Sequence, residues 1–258
     1  MRRVGVLMSN AATNTEYQSY LTAFIQGLRQ LGWSEGQNIQ IEVRWNPADA
    51  GLARIYAAQL IGLMPDVILV SSTINLTEVQ QATSTVPIVF LAVSDPVAQG
   101  FVTSMSHPGG NLTGFSRYEF SIGSKWLGLL KEVAPGLTRA AVMFNPDQSP
   151  QTKFFMQAIE AAAPSLDVQA IAVPVRATAD IEAALADFAS SPNGGLILPT
   201  GGFTRIRFTM IAGLAARYRL PSIAANPNFA KAGGLMEYNT PDVLGQYREA
   251  ASYVDRIL

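Results

Sequence analysis

The order of apolar segments along the chain is written twice, and that repetition restricts the fold more than any other feature of the sequence. Val4 to Met8 is an apolar run of strand length, and Tyr17, Tyr20, Leu21, Phe24, Ile25, Leu28 and Leu31 follow at helical spacing, with Gly32 as a stop. Ile39 to Trp45 alternates apolar and polar residues, as a strand with one wet face does, and is expected near a sheet edge. A helix over Ala53 to Leu63 leads to a strand at Val67 to Val70, a helix at about residues 75 to 83, and a strand at Pro87 to Ala92. The second half reads the same way. Strands are predicted at Arg139 to Phe144, Val168 to Val173, Gly195 to Leu198 and Pro221 to Ala225, separated by helices over Gln151 to Ala163, Ile181 to Phe188 and Ile206 to Tyr218. Two βαβαβαβ series predict two similar three-layer α/β/α lobes with parallel sheets joined by a hinge, the repeat being one of element order and not of residue identity.

Gly109 to Gly114 reads as a linker or crossing strand, Gly123 to Val133 as the helix that opens the second lobe, and Asn226 to Gly234 as a second crossing. Gly234 to Tyr238 then reads as a strand, and Val243, Leu244, Tyr247, Ala250, Ala251, Val254 and Ile257 as a last helical face returning to lobe one. The expected lobes are 1–114 plus 233–258 and 115–232, with crossings near 109–118 and 226–234.

Composition narrows the chemistry. With 48% hydrophobic and 14% charged residues over 258 positions, the chain is expected to be ordered nearly throughout. A net charge of −1 with scattered Lys and Arg offers no footprint for a phosphate backbone, so no nucleic-acid partner is expected. There is no cysteine and a single histidine, His107, which removes thiolate nucleophiles, disulfides and most zinc sites; no cofactor or metal is expected. Met1-Arg2-Arg3 runs directly into Val4 to Met8, too short for a signal-peptide core, so the chain reads as a mature start. No stretch approaches the roughly 20 apolar residues of a membrane helix.

In open parallel sheets ligands bind beyond the carboxyl ends of the strands. Those ends carry small hydroxyl and amide residues: Ser9, Asn10, Ser71, Ser72, Thr73, Ser94 and Asp95 in lobe one, and Asn145, Thr200, Gly201 and Asn226 in lobe two. Together with Tyr17 and Tyr118 they form the candidate ligand-binding set, two rims lined with neutral donors and acceptors. For any one of them helix capping is the commoner role, and Asp95 before Pro96 looks like an N-cap. Phe115, Phe120, Phe203 and Tyr238 lie in or beside the same loops, where core packing is the commoner role for a ring. No G-x-G-x-x-G, G-x-x-x-x-G-K-[ST], G-x-S-x-G or H-E-x-x-H occurs, and no catalytic residue is assigned.

Several stretches in shared order resemble the ABC-transporter substrate-binding family that includes tryptophan- and tyrosine-type uptake proteins, within the type I periplasmic-binding-protein fold. They are Phe24 to Asn38 with Ile41 to Trp45, Val86 to Phe90 leading to Ser94-Asp95-Pro96-Val97, Pro108 to Gly114, Leu214 to Pro221, Ala232 to Met236 and Tyr253 to Leu258. The resemblance implies a non-enzymatic monomer that captures a small organic ligand between its lobes, an amino acid or related aromatic carboxylate, and docks on a membrane permease. It also implies a periplasmic or extracytoplasmic location, and a chain that continues past the point where Leu258 ends this one. Ser/Thr hydroxyls and helix N-termini would hold the carboxylate, and Asp95 or Glu119 is a candidate partner for an ammonium. A ligand-sensing regulatory module of the same fold, or an α/β enzyme working in the cleft, stays open as an alternative.

Overall fold

The computed structural model describes residues 1–238 and 242–258. These divide into two compact units, 1–119 with 242–258 and 120–238.

Unit one opens with β1 (Arg2–Ser9), α1 (Thr15–Gln30), β2 (Ile39–Asn46), α2 (Ala50–Gly62), β3 (Val67–Ser71), α3 (Thr73–Ala82), β4 (Ile88–Val93) and β5 (Leu112–Ser116). Unit two follows with α4 (Ile122–Val133), β6 (Arg139–Phe144), α5 (Thr152–Ala162), β7 (Gln169–Pro174), α6 (Thr178–Ala189), β8 (Gly194–Leu198), α7 (Gly202–Arg205), α8 (Phe208–Arg217), β9 (Ser222–Ala224), α9 (Asn228–Lys231) and β10 (Met236–Glu237). The chain ends in α10 (Val243–Ile257), a helix of unit one.

Each unit holds a five-stranded sheet, ordered β2-β1-β3-β4-β5 in the first and β10-β9-β8-β6-β7 in the second. All the pairings are parallel. Counted within its own unit and read from the appropriate edge, each sheet has the order 2-1-3-4-5. The repeat seen in the sequence is therefore a repeat of topology. The alternating segment Ile39–Asn46 is an edge strand, as its pattern predicted. The continuous apolar strands β3 and β8 are buried along their whole length inside their sheets, where helices cover both faces.

Three features depart from the sequence reading. The segment 109–114, read as a linker or crossing strand, runs into β5 at residues 112–116, which does not merely cross but pairs with β4 and completes the first sheet. Residues 115–119, expected in lobe two, therefore pack in unit one. Met236–Glu237 pairs with Ile223–Ala224, so residues 233–238, expected in lobe one, stay with unit two. The short helices α7 and α9, four residues each, fall where loops were expected, because one helical turn is too short to show periodicity.

The last helix is seated on α1. Its buried face, Tyr247, Ala250, Ala251 and Val254, joins Phe24, Leu28, Val6 and Met8 in one apolar cluster. Gly27 is the contact point: a Cβ there would stand 2.8 Å from both the Ala251 Cβ and the Arg248 carbonyl oxygen. Trp33 on the loop after α1 donates its indole N–H to Asp255 Oδ1 at 2.8 Å, clamping the far end of α10.

In an exposed helix, Gly→Ala stabilises by up to about 1 kcal/mol. Gly213→Ala in α8, where a Cβ meets nothing within 4 Å, should do so. Gly27→Ala should have the opposite sign, costing about 1–3 kcal/mol, because the two helices must separate to admit the methyl group. Urea denaturation of the two variants beside the parent checks the contrast.

Candidate functional site

In a 2-1-3-4-5 sheet the connections from the first strand leave in opposite directions on its two sides, so a crevice opens at the carboxyl ends of the first and third strands. In unit one those ends are Ser9 and Ser71, whose hydroxyl oxygens lie 3.0 Å apart. Ser71 is 1% exposed and also accepts a 2.6 Å hydrogen bond from the Tyr247 hydroxyl of α10. Asn75 donates to the Ser71 carbonyl at 2.8 Å and accepts from Asn46 at 2.7 Å. The ends of β1, β2 and β3 are thus tied by a buried polar network in which Ser71 is a structural member.

The other expected residues of this rim take assorted roles. Asn10, at φ 77°, folds its Oδ1 back onto the Ala11 N–H, and Asn14 is the N-cap of α1, receiving the Tyr17 N–H at 3.2 Å. Ser72, at φ 88°, is the N-cap of α3, which places Thr73 as the first helical residue, two positions earlier than periodicity indicated. Asp95 does cap, but a turn and not a helix: its Oδ1 accepts from Ala98 N–H at 3.0 Å. Ser94 is buried, its carbonyl held by the Gln99 amide. Tyr17 is buried and meets Tyr20 edge-on at 5.3 Å, and Tyr20 stacks on Tyr247 at 5.1 Å. Buried Tyr118 follows β5, its carbonyl receiving the Asp95 N–H at 2.6 Å.

The sequence reading missed Arg117, the residue between β5 and Tyr118. Its backbone is pinned by a 2.8 Å hydrogen bond from its N–H to the Val93 carbonyl, and its guanidinium carbon lies 5.3 Å from the Tyr118 ring centroid. The Nε is sealed from solvent and has no hydrogen-bond partner among the described residues. Burial alone would favour the neutral form of this group. The surrounding phenols of Tyr118, Tyr17 and Tyr20 oppose burial, and the net effect holds the guanidinium ionised. The only available signal in the sequence was a lone cation between two aromatic residues at a strand end.

In unit two the equivalent strand ends are those of β6 and β8. Asn145 is buried after β6 and uses its Oδ1 to hold the N–H groups of Asp147 and Gln148 at 3.0 and 2.9 Å. Beyond it the N-terminus of α5 carries no side-chain cap. Ser149 Oγ, Gln151 Oε1 and Thr152 Oγ1 are buried there without hydrogen-bond partners among the described residues. Gly201 faces this group; a Cβ on it would stand 2.8 Å from Ser149 Oγ, so only glycine lets the β8 end approach so closely. Thr200 precedes it, half-buried, and Asn226 after β9 holds the Asn228 N–H at 2.9 Å. The structure thus gathers Asn145, Thr200 and Gly201 at one switch point and adds Ser149, Gln151 and Thr152.

The rings expected near these loops pack inward. Phe115 meets Tyr253 at 4.9 Å, Phe120 stacks on Phe154 at 4.7 Å, and Phe203 lies under the Arg207 guanidinium at 3.8 Å. A groove of roughly 290 Å³ lined by Gly136, Asn193, Tyr218 and Pro221 opens at the amino ends of β6 and β8, the wrong end of the sheet for a switch-point ligand. Among the described residues no cluster of three or more His, Cys, Asp or Glu could hold a metal, and no helix is long and apolar enough to cross a membrane.

With this architecture established, residues 6–258 match the family model described as ABC transporter substrate binding protein. The chain belongs to that family. It is a family of binding proteins and not of enzymes. A relative named as a tyrosine-binding protein in Clostridioides difficile is 26% identical over 212 residues, which is 82% of this chain and 60% of the relative. The chain thus spans three fifths of the curated relative it matches. Among solved structures, a conserved domain protein from Vibrio cholerae superposes with a TM-score of 0.85 at 22% identity, covering 99% of this chain and 84% of the other. The ABC domain in complex with L-Trp from Streptococcus pneumonia superposes with a TM-score of 0.83 at 17% identity, with the same coverage of 99% and 84%. These likenesses give the two parallel-sheet lobes of the type I periplasmic-binding-protein fold.

Two phenols of this ABC substrate-binding chain, Tyr247 buried and Tyr20 half-buried, give it a pH signature. Burial pushes Tyr247 well above the usual phenol range, and burial with the Glu16 hydrogen bond does the same for Tyr20. A phenol that ionises near pH 10 when unfolded but resists ionisation when folded contributes stability below that pH, lost as pH rises beyond it. Thermal melts should therefore fall steeply above about pH 10. Tyr247→Phe should lose about 1 kcal/mol at neutral pH, from the Ser71 hydrogen bond, and show a shallower alkaline fall.

Proposed function

We propose that the chain is the solute-capturing component of an ABC importer, working outside the cytoplasm as a monomer and delivering a small organic ligand to a membrane permease. The ligand is an amino acid or a related aromatic carboxylate, held by the carboxyl-end rims of both units. The observation that carries this reading is the duplicated switch point: two sheets of the same order, each ending in small polar residues, and the second presenting three buried oxygen atoms without partners among the described residues. Buried polar groups are ordinarily satisfied, so a set of orphans at the place where such sheets bind ligands marks a surface completed by something else. Family membership and the tyrosine-binding relative support this ligand class.

Ser9, Asn10, Tyr17, Ser72, Thr73, Ser94, Asp95, Tyr118, Asn145, Thr200, Gly201 and Asn226 remain the proposed contacts, joined by Ser149 and Thr152. Ser71 is proposed to act through the network that places its neighbours. Ligand contacts from both rims would favour the ligand-bound arrangement, whereas a ligand touching one rim alone would shift nothing.

A ligand that binds only the folded state raises the melting temperature, by an amount set by RT ln(1 + [L]/Kd). In a panel of amino acids, aromatic acids, nucleosides and sugars, L-tyrosine, L-tryptophan or an aromatic acid should produce a saturable rise, with the compound recovered unchanged. Shifts confined to sugars or nucleosides, or steady consumption of a compound, would overturn the reading.

A further inference from the structure

At neutral pH the Arg117 guanidinium is a cation with no anion to balance it among the described residues. Arg2–Asp66, Arg44–Glu42, Arg54–Glu78 and Arg176–Asp147 are ion pairs among the described residues, and Arg117 is in none of them. Its neighbours in unit one are the phenols of Tyr118, Tyr17 and Tyr20, and a phenol is uncharged at this pH. The carboxylate on the adjoining helix is otherwise engaged, Glu16 Oε1 accepting from the Tyr20 hydroxyl at 2.6 Å. Leaving a charge partly buried without a counter-charge is costly, and a protein retains one only where something compensates for it.

The position of the group says what that is. Arg117 lies one residue beyond the carboxyl end of β5, on the side of the sheet where the Ser9 and Ser71 hydroxyls and the Ser72 cap also lie. Its backbone is fixed by the Val93 carbonyl, and the residue on either side is held as well: Ser116 accepts from the Gln246 amide of α10 at 3.4 Å, and Tyr118 accepts from Asp95. The base of the side chain is therefore pre-positioned, and the Tyr118 ring stands beside the guanidinium. A planar guanidinium pairs with a carboxylate through two parallel N–H···O bonds, and tyrosine rings suit the aromatic part of the same molecule.

We propose that Arg117 is the carboxylate-reading residue of the ligand site, selecting aromatic acids and amino acids over their decarboxylated counterparts. This rests on the capture function proposed above and adds the group of the ligand that is recognised.

The test compares L-tryptophan with tryptamine, which lacks only the carboxylate, by calorimetric titration of the parent chain, Arg117→Gln and Arg117→Lys. The parent should prefer L-tryptophan by roughly 100-fold, the scale of one buried charge-assisted bidentate contact. Arg117→Gln should abolish that preference, weakening L-tryptophan by a similar factor while leaving tryptamine within about 3-fold of the parent value. Arg117→Lys, a point charge without the fork, should fall between. Equal weakening of both compounds would assign Arg117 a structural role and overturn the proposal, as would no change in either. Should Arg117→Gln fail to fold, the preference of the parent and its reduction in Arg117→Lys still decide the matter. A parent that binds neither compound nor benzoate overturns the capture reading together with this one, a result distinct from binding that ignores Arg117.

Discussion

A parallel sheet leaves all its strands ending on the same side, and everything of functional interest in this protein follows from that constraint. The carbonyl ends of the strands and the first N–H groups of the following helices converge on one rim, and the chain must satisfy them with side chains, with neighbouring segments or with a ligand. In unit one the demand is met largely from within: Ser9, Ser71, Asn46 and Asn75 bond to one another, and Tyr247 reaches in from the last helix. In unit two it is met less completely, leaving Ser149, Gln151 and Thr152 with buried oxygens unpaired among the described residues. The units share a strand order but differ in how much of the rim is already spent.

That difference bears on how the chain is assembled. The Tyr247–Ser71 hydrogen bond spans 176 positions in the sequence, and with the Gly27 contact it fastens the end of the chain to the sheet that began it. The segment that supplies unit one's final helix thus also completes its polar rim. A rim built this way is rigid where a ligand would meet it, and rigidity lowers the ordering cost of binding.

Much of this architecture was legible in the sequence because strand and helix periods are local. Val67–Ser71 and Gly194–Leu198 announce themselves as buried strands, and the alternation of Ile39–Asn46 marks an edge. What escaped was non-local or too short. Leu112–Ser116 follows Pro108-Gly109-Gly110, and its membership of the first sheet is decided by pairing with Ile88–Val93 and not by its own pattern. Met236–Glu237 was expected as a strand, within Gly234 to Tyr238, but two residues carry no mark of the sheet they join, and pairing with Ile223–Ala224 decides it. At the site, residue type at a strand end located both rims, but it could not say that Ser71 is consumed by a tyrosine from the far end of the chain. Nor could it show that the cation beside Tyr118 has no counter-charge among the described residues.

The central claim is that a ligand seats on the carboxyl-end rims, and hydrogen exchange with and without saturating L-tryptophan tests it most directly. The account predicts slowed amide exchange at residues 9–11, 71–74, 94–98 and 116–118 of unit one and at 145–152, 200–204 and 226–228 of unit two. Slowing confined to the amino-end groove around residues 191–194 and 218–221 would contradict it.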